Sequence, residues 1–169
     1  MRQIELNRGW FALVDDEDYE YLSQWKWKCE EHNKDNIHNQ YARRHSKRRK
    51  GGGYIGGVLM HRLILGIENN PKLFVDHKNR NGLDNRKENL RIATKSQNSK
   101  NRRSAMNSSS QYLGVYWAKD RRKWRVEIKA ESGERIRGGQ YETEKDAAMA
   151  YDVLAKIYHG EFANLNFEK

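Results

Sequence analysis

The chain has 169 residues, room for one or two small domains, and its 33 Lys+Arg against 23 Asp+Glu give a formal net charge of +10. Such an excess, clustered and interleaved with aromatics, favours a polyanionic partner, because neutralising phosphates releases counterions. A lone Cys29 excludes an intrachain disulfide and a Cys-x-x-Cys zinc site and points to a reducing cytoplasm, while the lack of any long apolar run makes membrane insertion and secretion unexpected.

Residues 1–54 read as a small β-rich region. Ile4 to Val14 forms a strand or hairpin around Arg8-Gly9, and Asp15 or Asp16 caps a short helix through Tyr19 and Leu22. Trp25 to Cys29 alternates apolar and basic residues, the period of a half-buried strand, with Gln40 to His45 as its partner. Arg43 to Lys50 is almost continuously basic and leads into Gly51-Gly52-Gly53, a pattern that serves either a solvated turn or a grip on phosphates. His32, His38 and His45 have no ligand spacing and read as surface residues.

Residues 55–100 carry the chemistry. Val58 to Leu65 is apolar and is expected to run from strand to short helix beneath the site. Phe74 to His77 and Leu90 to Thr94 read as strands, and Lys95 onward, with no Pro or Gly before Gly114, starts a helix. Asp76-His77 closes the first strand, an Asn/Gly/Arg loop follows, and Asn89 is separated by eight residues from Asn98. This strand–loop–strand–helix pattern resembles the HNH, or ββα-metal, nuclease motif in its His-Asn-Asn variant. The resemblance implies that Asp76 and Asn98 bind one divalent metal, that His77 activates water as the general base, and that Asn89 holds the loop orienting His77. Two oxygen donors leave most of an octahedral shell open and suit Mg²⁺ or Mn²⁺. Adjacent strand residues point to opposite faces, so Asp76 and His77 converge only where the strand ends or bends, which Lys78 to Gly82 makes credible. Arg91 either contacts the scissile phosphate or forms an ion pair. His61 either contacts phosphate or packs under the site, and Asn85, Arg86 and Glu88 build the loop.

Residues 101–110 are polar and Ser-rich and read as a linker. From Gln111 a second logic begins. Strands at Tyr112–Trp117, Trp124–Lys129 and Glu134–Gly138 turn Val115, Val126, Ile128 and Ile136 inward and Tyr116, Arg125, Glu127, Lys129, Arg135 and Arg137 outward. Thr143 to Tyr158 reads as a covering helix, with Thr143 and Asp146 at capping-box spacing and Gly160 ending it; His159 at its C-terminus is expected to have its charge mildly favoured. Tyr112-Leu113-Gly114-Val115, Trp124-Arg125-Val126-Glu127-Ile128 and Ala147 to Asp152 resemble the plant ethylene-response-factor (APETALA-two) DNA-binding domain, whose outward sheet residues read DNA. Tyr116 and Arg137 depart from the residues that family carries there, so the plant site is not expected to be the one read.

The expectation is therefore an α+β protein with domains at 1–54, 55–100 and 111–169, resembling a phage-type homing endonuclease that works in the host cytoplasm. Such a protein is a site-directed endonuclease acting on double-stranded DNA, as a nicking monomer or as a dimer. The rival is a non-catalytic DNA-binding regulator on the same scaffold.

Overall fold

The computed structural model describes residues 1–31, 40–45, 56–100 and 108–167 and divides into two compact units, Met1–Lys95 and Ser96–Lys169. His32, His38, Lys50, the three glycines 51–53 and most of the 101–110 linker lie outside the described residues. Among the described residues no helix is long and apolar enough to cross a membrane.

The first unit opens on an antiparallel hairpin of β1 (Arg2–Glu5) and β2 (Phe11–Val14). Its turn needs left-handed backbone, which Arg8 (φ 60°) and Gly9 (φ 75°) supply. Helix α1 (Asp16–Ser23) follows, then a three-stranded sheet in the order β3 (Lys28–Glu31), β4 (Gln40–His45), β5 (Gly57–Leu59). Helix α2 (Met60–Ile64) leads towards the last pair, β6 (Phe74–His77) and β7 (Leu90–Ala93). One core of Ile4, Leu6, Ala12, Val14, Leu22, Trp27, Ala42, Met60 and Leu83 joins these elements. The core draws on both sides of residue 54, so the N-terminal region and the segment after it are packed as one body.

Two local expectations are corrected. The strand expected over Trp25–Cys29 begins only at Lys28. Trp27 instead turns inward, its indole Nε1 donating to the Leu22 carbonyl at 2.8 Å and satisfying a carbonyl at the end of α1. Asp15 stands at the N-cap of α1 but makes no side-chain cap. Its carboxylate accepts from the Lys87 backbone N–H at 2.8 Å, a contact 72 residues away in sequence that no local rule anticipates.

The second unit begins within α3 (Lys95–Lys100) and contains an antiparallel sheet, β8 (Val115–Ala118), β9 (Lys123–Lys129) and β10 (Arg135–Tyr141), in the order β10-β9-β8. Helix α4 (Glu144–His159) packs on it, burying Ala147, Ala148, Tyr151 and Ala155 against Val115, Val126 and Ile128. Small alanines let the helix axis lie close to the sheet. Thr143 caps α4 by accepting from the Asp146 N–H at 3.1 Å. β10 runs past the expected end at Gly138, because the register shifts between Arg137 and Gln140 and Gly139 (φ 102°) absorbs the bulge. The chain end is tied back: Asp152 accepts from the Asn166 and Phe167 N–H groups at 2.7 and 3.1 Å, and Asn166 Oδ1 accepts from Leu113 N at 2.8 Å. His159 runs against the expectation of a mildly favoured charge: burial lowers its pKa, although the Lys129 carbonyl 2.9 Å from its Nε2 pulls the other way.

Gly114 sets the approach of β8 to α4. Its φ of +68° disfavours any side chain, and a Cβ there would meet the Tyr151 ring at 2.1 Å. Gly114→Ala is expected to destabilise the protein by about 1–3 kcal/mol, through backbone strain and displacement of Tyr151. Thermal unfolding read through the second unit's tryptophans, Trp117 and Trp124, checks this; an unchanged midpoint contradicts it.

Candidate active site

β6 and β7 pair so that Asp76 faces Arg91 and His77 faces Leu90. The strand ends at His77: the His77 carbonyl accepts from Arg80 N at 2.8 Å, and Arg80 takes left-handed backbone (φ 62°) to turn the chain. Both side chains are buried, with 3% and 6% of their surface exposed.

The loop between the strands is held by amides. Asn89 Oδ1 accepts from Asn79 N at 3.0 Å, and its Nδ2 donates to the Asp84 carbonyl at 2.8 Å. The Asn89 carbonyl also accepts from Lys78 N at 2.9 Å. The Asn79 amide in turn donates to Asp84 Oδ2 at 2.8 Å. Arg86 grips Asp84 with Nε at 2.8 Å and an Nη at 2.7 Å, and reaches Glu88 at 2.5 Å. Burial alone would raise the Asp84 pKa, but the Arg86 hydrogen bonds and charge outweigh it and the net shift is downward. The loop is also sewn to the N-terminal hairpin: Leu13 N donates to the Leu83 carbonyl and Asn85 N to the Leu13 carbonyl, both at 2.8 Å. Lys87 adds ion pairs to Glu17 and Asp18. The N-terminal region thus supports the loop behind His77.

His77 sits against two rings. Its centroid lies 5.0 Å from His61, nearly perpendicular, and 5.8 Å from Tyr41. Burial pushes the His77 pKa down to about 4, although Asn85, Asp76 and Asp84 pull it upward. Burial, with the neighbouring His77 and Arg62, pushes His61 down to about 3. Burial and then the Asp76 charge raise the Tyr41 phenol. At neutral pH both imidazoles are therefore uncharged, the form in which a ring can accept a proton.

Asp76 is engaged by Arg91, with Nε at 2.7 Å and an Nη at 2.5 Å from Oδ2. Of the two roles open to Arg91, the ion pair is the one present. The Arg62 guanidinium donates to the Leu73, Ile67 and Asn70 carbonyls at 2.8, 2.8 and 2.6 Å, fixing the approach to β6. Asn98, half-buried on α3, belongs to the second unit. Among the described residues no three His, Cys, Asp or Glu side chains gather as a metal cluster. Taken separately, Asp76 offers a carboxylate oxygen and Asn98 an amide oxygen, donor types that suit hard cations.

The second unit carries the other expected residues. Tyr116 is exposed and faces Arg125 across β8 and β9. Arg125 pairs with Asp120 at 3.0 Å and Arg135 with Glu127 at 3.0 Å. Lys129 and Arg137 are exposed, and Val126 and Ile128 between the outward residues are buried. Exposed pairs of this kind contribute about 0–1 kcal/mol, so they tether these side chains only weakly.

Tyr41 and Asp84 have roles that the sequence reading missed. Tyr41 is one aromatic in an alternating strand and gave no signal. Asp84 opens an Asp-Asn-Arg-x-Glu run whose side chains close on one another, a pattern visible as an Asx-rich turn.

Residues 58–100, from within β5 to the end of α3, match the family model described as HNH endonuclease, which makes the hairpin and its flanking helices an HNH endonuclease domain. The chain is also similar to Protein 3.8 of Escherichia phage T7, with 31% identity over 96 residues, 53% of this chain and 73% of that protein. The chain belongs to the family of that phage protein.

Two buried neutral histidines give the first unit a pH signature. In the unfolded chain each protonates near pH 6.5. In the folded protein His77 and His61 protonate only near 4 and 3, so below pH 6.5 the unfolded state binds more protons and stability falls with pH. The loss is expected to begin near pH 6.5 and to reach on the order of several kcal/mol by pH 4. Denaturant unfolding of metal-free protein between pH 7 and pH 4 checks it, and a flat profile contradicts it.

Proposed function

We propose that the chain is a site-directed, divalent-metal-dependent DNA endonuclease that nicks one strand per catalytic event. The observation that carries this reading is a buried, neutral His77 at the end of β6, behind a loop clamped by Asn89, within the residues that match the HNH endonuclease model. In this reading His77 takes the proton of the attacking water. Asn89 fixes the loop and with it the ring, and does not touch the reacting atoms. Asp76 and Asn98 hold one Mg²⁺ or Mn²⁺, which when bound compensates charge on the phosphoryl oxygens and stabilises the leaving 3′ oxygen. Arg91 holds the Asp76 carboxylate in place through its ion pair.

The second unit is the reader, a domain of the ethylene-response-factor type. Its outward residues, Tyr116, Arg125, Glu127, Lys129, Arg135 and Arg137, meet duplex DNA in the major groove, with Arg suited to guanine edges and Glu to cytosine. One nuclease centre per chain accounts for nicking by a monomer, and a dimer would cut both strands.

One observation favours the rival reading of a non-catalytic regulator: the Arg91 guanidinium already occupies Oδ2 of the proposed metal ligand. A plasmid-nicking assay with Mg²⁺, Mn²⁺ or EDTA separates the two. The expected result is nicking with either cation and none in EDTA. His77→Ala should lose about 10²–10⁴-fold in rate with DNA affinity retained, and Asp76→Ala should abolish metal-dependent cleavage. Tight DNA binding without cleavage in either cation supports the regulator instead, and near-parental nicking by His77→Ala removes His77 as the base.

A further inference from the structure

We propose that His61 is a second catalytic residue of this site, whose Nδ1 accepts a hydrogen bond from the water that His77 deprotonates. The inference rests on the nuclease reading above.

His61 is 5% exposed, and its Nδ1 is fully buried with no hydrogen-bond partner among the described residues. A buried polar atom left unpaired carries a desolvation penalty, so one that is kept calls for a partner that offsets it. This one lies in a ring set edge-to-face at 5.0 Å on the candidate base and at 5.3 Å on Tyr41. An apolar ring would fill the same space without that penalty. Packing therefore explains the ring of His61 but not its nitrogen.

The chemistry supplies the use. A water poised for in-line attack has two hydrogens and must aim a lone pair at phosphorus. If His77 takes one hydrogen and Nδ1 of a neutral His61 accepts a bond from the other, the lone pair is fixed by two rings on rigid elements, α2 and β6. The step balances without a further reactant. The water O–H breaks as its proton passes to His77, the oxygen forms the new bond to phosphorus, and the P–O3′ bond breaks. The leaving alkoxide takes a proton from solvent, giving a 5′-phosphate and a 3′-hydroxyl. Arg62, the next residue, holds the chain before β6 through three carbonyls, so His61 is fixed independently of the loop that Asn89 clamps.

The test compares full-length parent, His61→Phe, His61→Asn and His77→Ala on a supercoiled plasmid bearing a site selected from a randomised library. Single-turnover nicking, DNA affinity and thermal unfolding are measured for each. Phe keeps the ring contact and removes the nitrogen. It is expected to be at least as stable as the parent, because the unpaired atom is gone, and to bind DNA equally, yet to nick about 10–100-fold more slowly. Asn places a carboxamide oxygen near the position of Nδ1 and is expected to recover most of the rate. Parental nicking by His61→Phe overturns the proposal, as does a folded His61→Asn no faster than Phe. Should Phe not fold, Asn decides alone: folded and active supports the assignment, folded and inactive overturns it. A parent that binds DNA but never nicks overturns the nuclease reading and this inference together. A parent that nicks, with His77→Ala inactive and His61→Phe unaffected, overturns this inference only.

Discussion

The Asn89 carboxamide is the constraint on which the site depends. With one oxygen and one nitrogen it holds Asn79 N and the Asp84 carbonyl, ten and five residues upstream, across the mouth of a two-stranded hairpin. A two-stranded pair of four-residue strands is at best marginal alone. Here the loop is closed by Asn89, stiffened by the Asp84–Arg86 bidentate pair and stitched to β2 through Leu13. Gly82 shows how closely it lies on the sheet behind it, since a Cβ there would meet the Gln40 carbonyl at 2.3 Å and the Tyr41 ring at 2.7 Å. The N-terminal region is thus a support for the loop, and shares its core.

That scaffold creates two electrostatic settings on adjacent residues. Asp76 points to an arginine; His77 points into rings and remains neutral. Strand alternation, which made the Asp-His pair look ill-suited to a common site, is what separates these settings. A strand end thus offers an ion-paired carboxylate and an uncharged imidazole within one step of the chain.

Much of this was legible in the sequence. The Asp76-His77, Asn89 and Asn98 spacing, the Asn/Gly/Arg loop and the apolar Val58–Leu65 segment located the domain. Period-two alternation in Trp124–Lys129 and the Ala-rich stripe of 147–155 located the second sheet and its helix. The misses have a common physical origin in contacts and burial that no sequence period encodes. Asp15 abandons its own helix cap for Lys87, Trp27 leaves the expected strand to reach Leu22, and His159 follows burial over dipole. Tyr41 reaches the site only because β4 pairs beside β5 and α2, a placement no local pattern encodes. His61 was visible as a histidine in an apolar run, but its unpaired nitrogen exists only in the folded protein.

The account's central claim is that the clamped loop holds His77 buried and uncharged. The most direct test is the His77 imidazole resonance followed by NMR as a function of pH, in the parent and in Asn89→Ala. The account predicts that the parent ring stays neutral from pH 7 to below pH 5, while loosening the loop lets water in and moves its midpoint up towards the ordinary value near 6.5. A parent ring that titrates near 6.5, or a midpoint indifferent to Asn89, would contradict it.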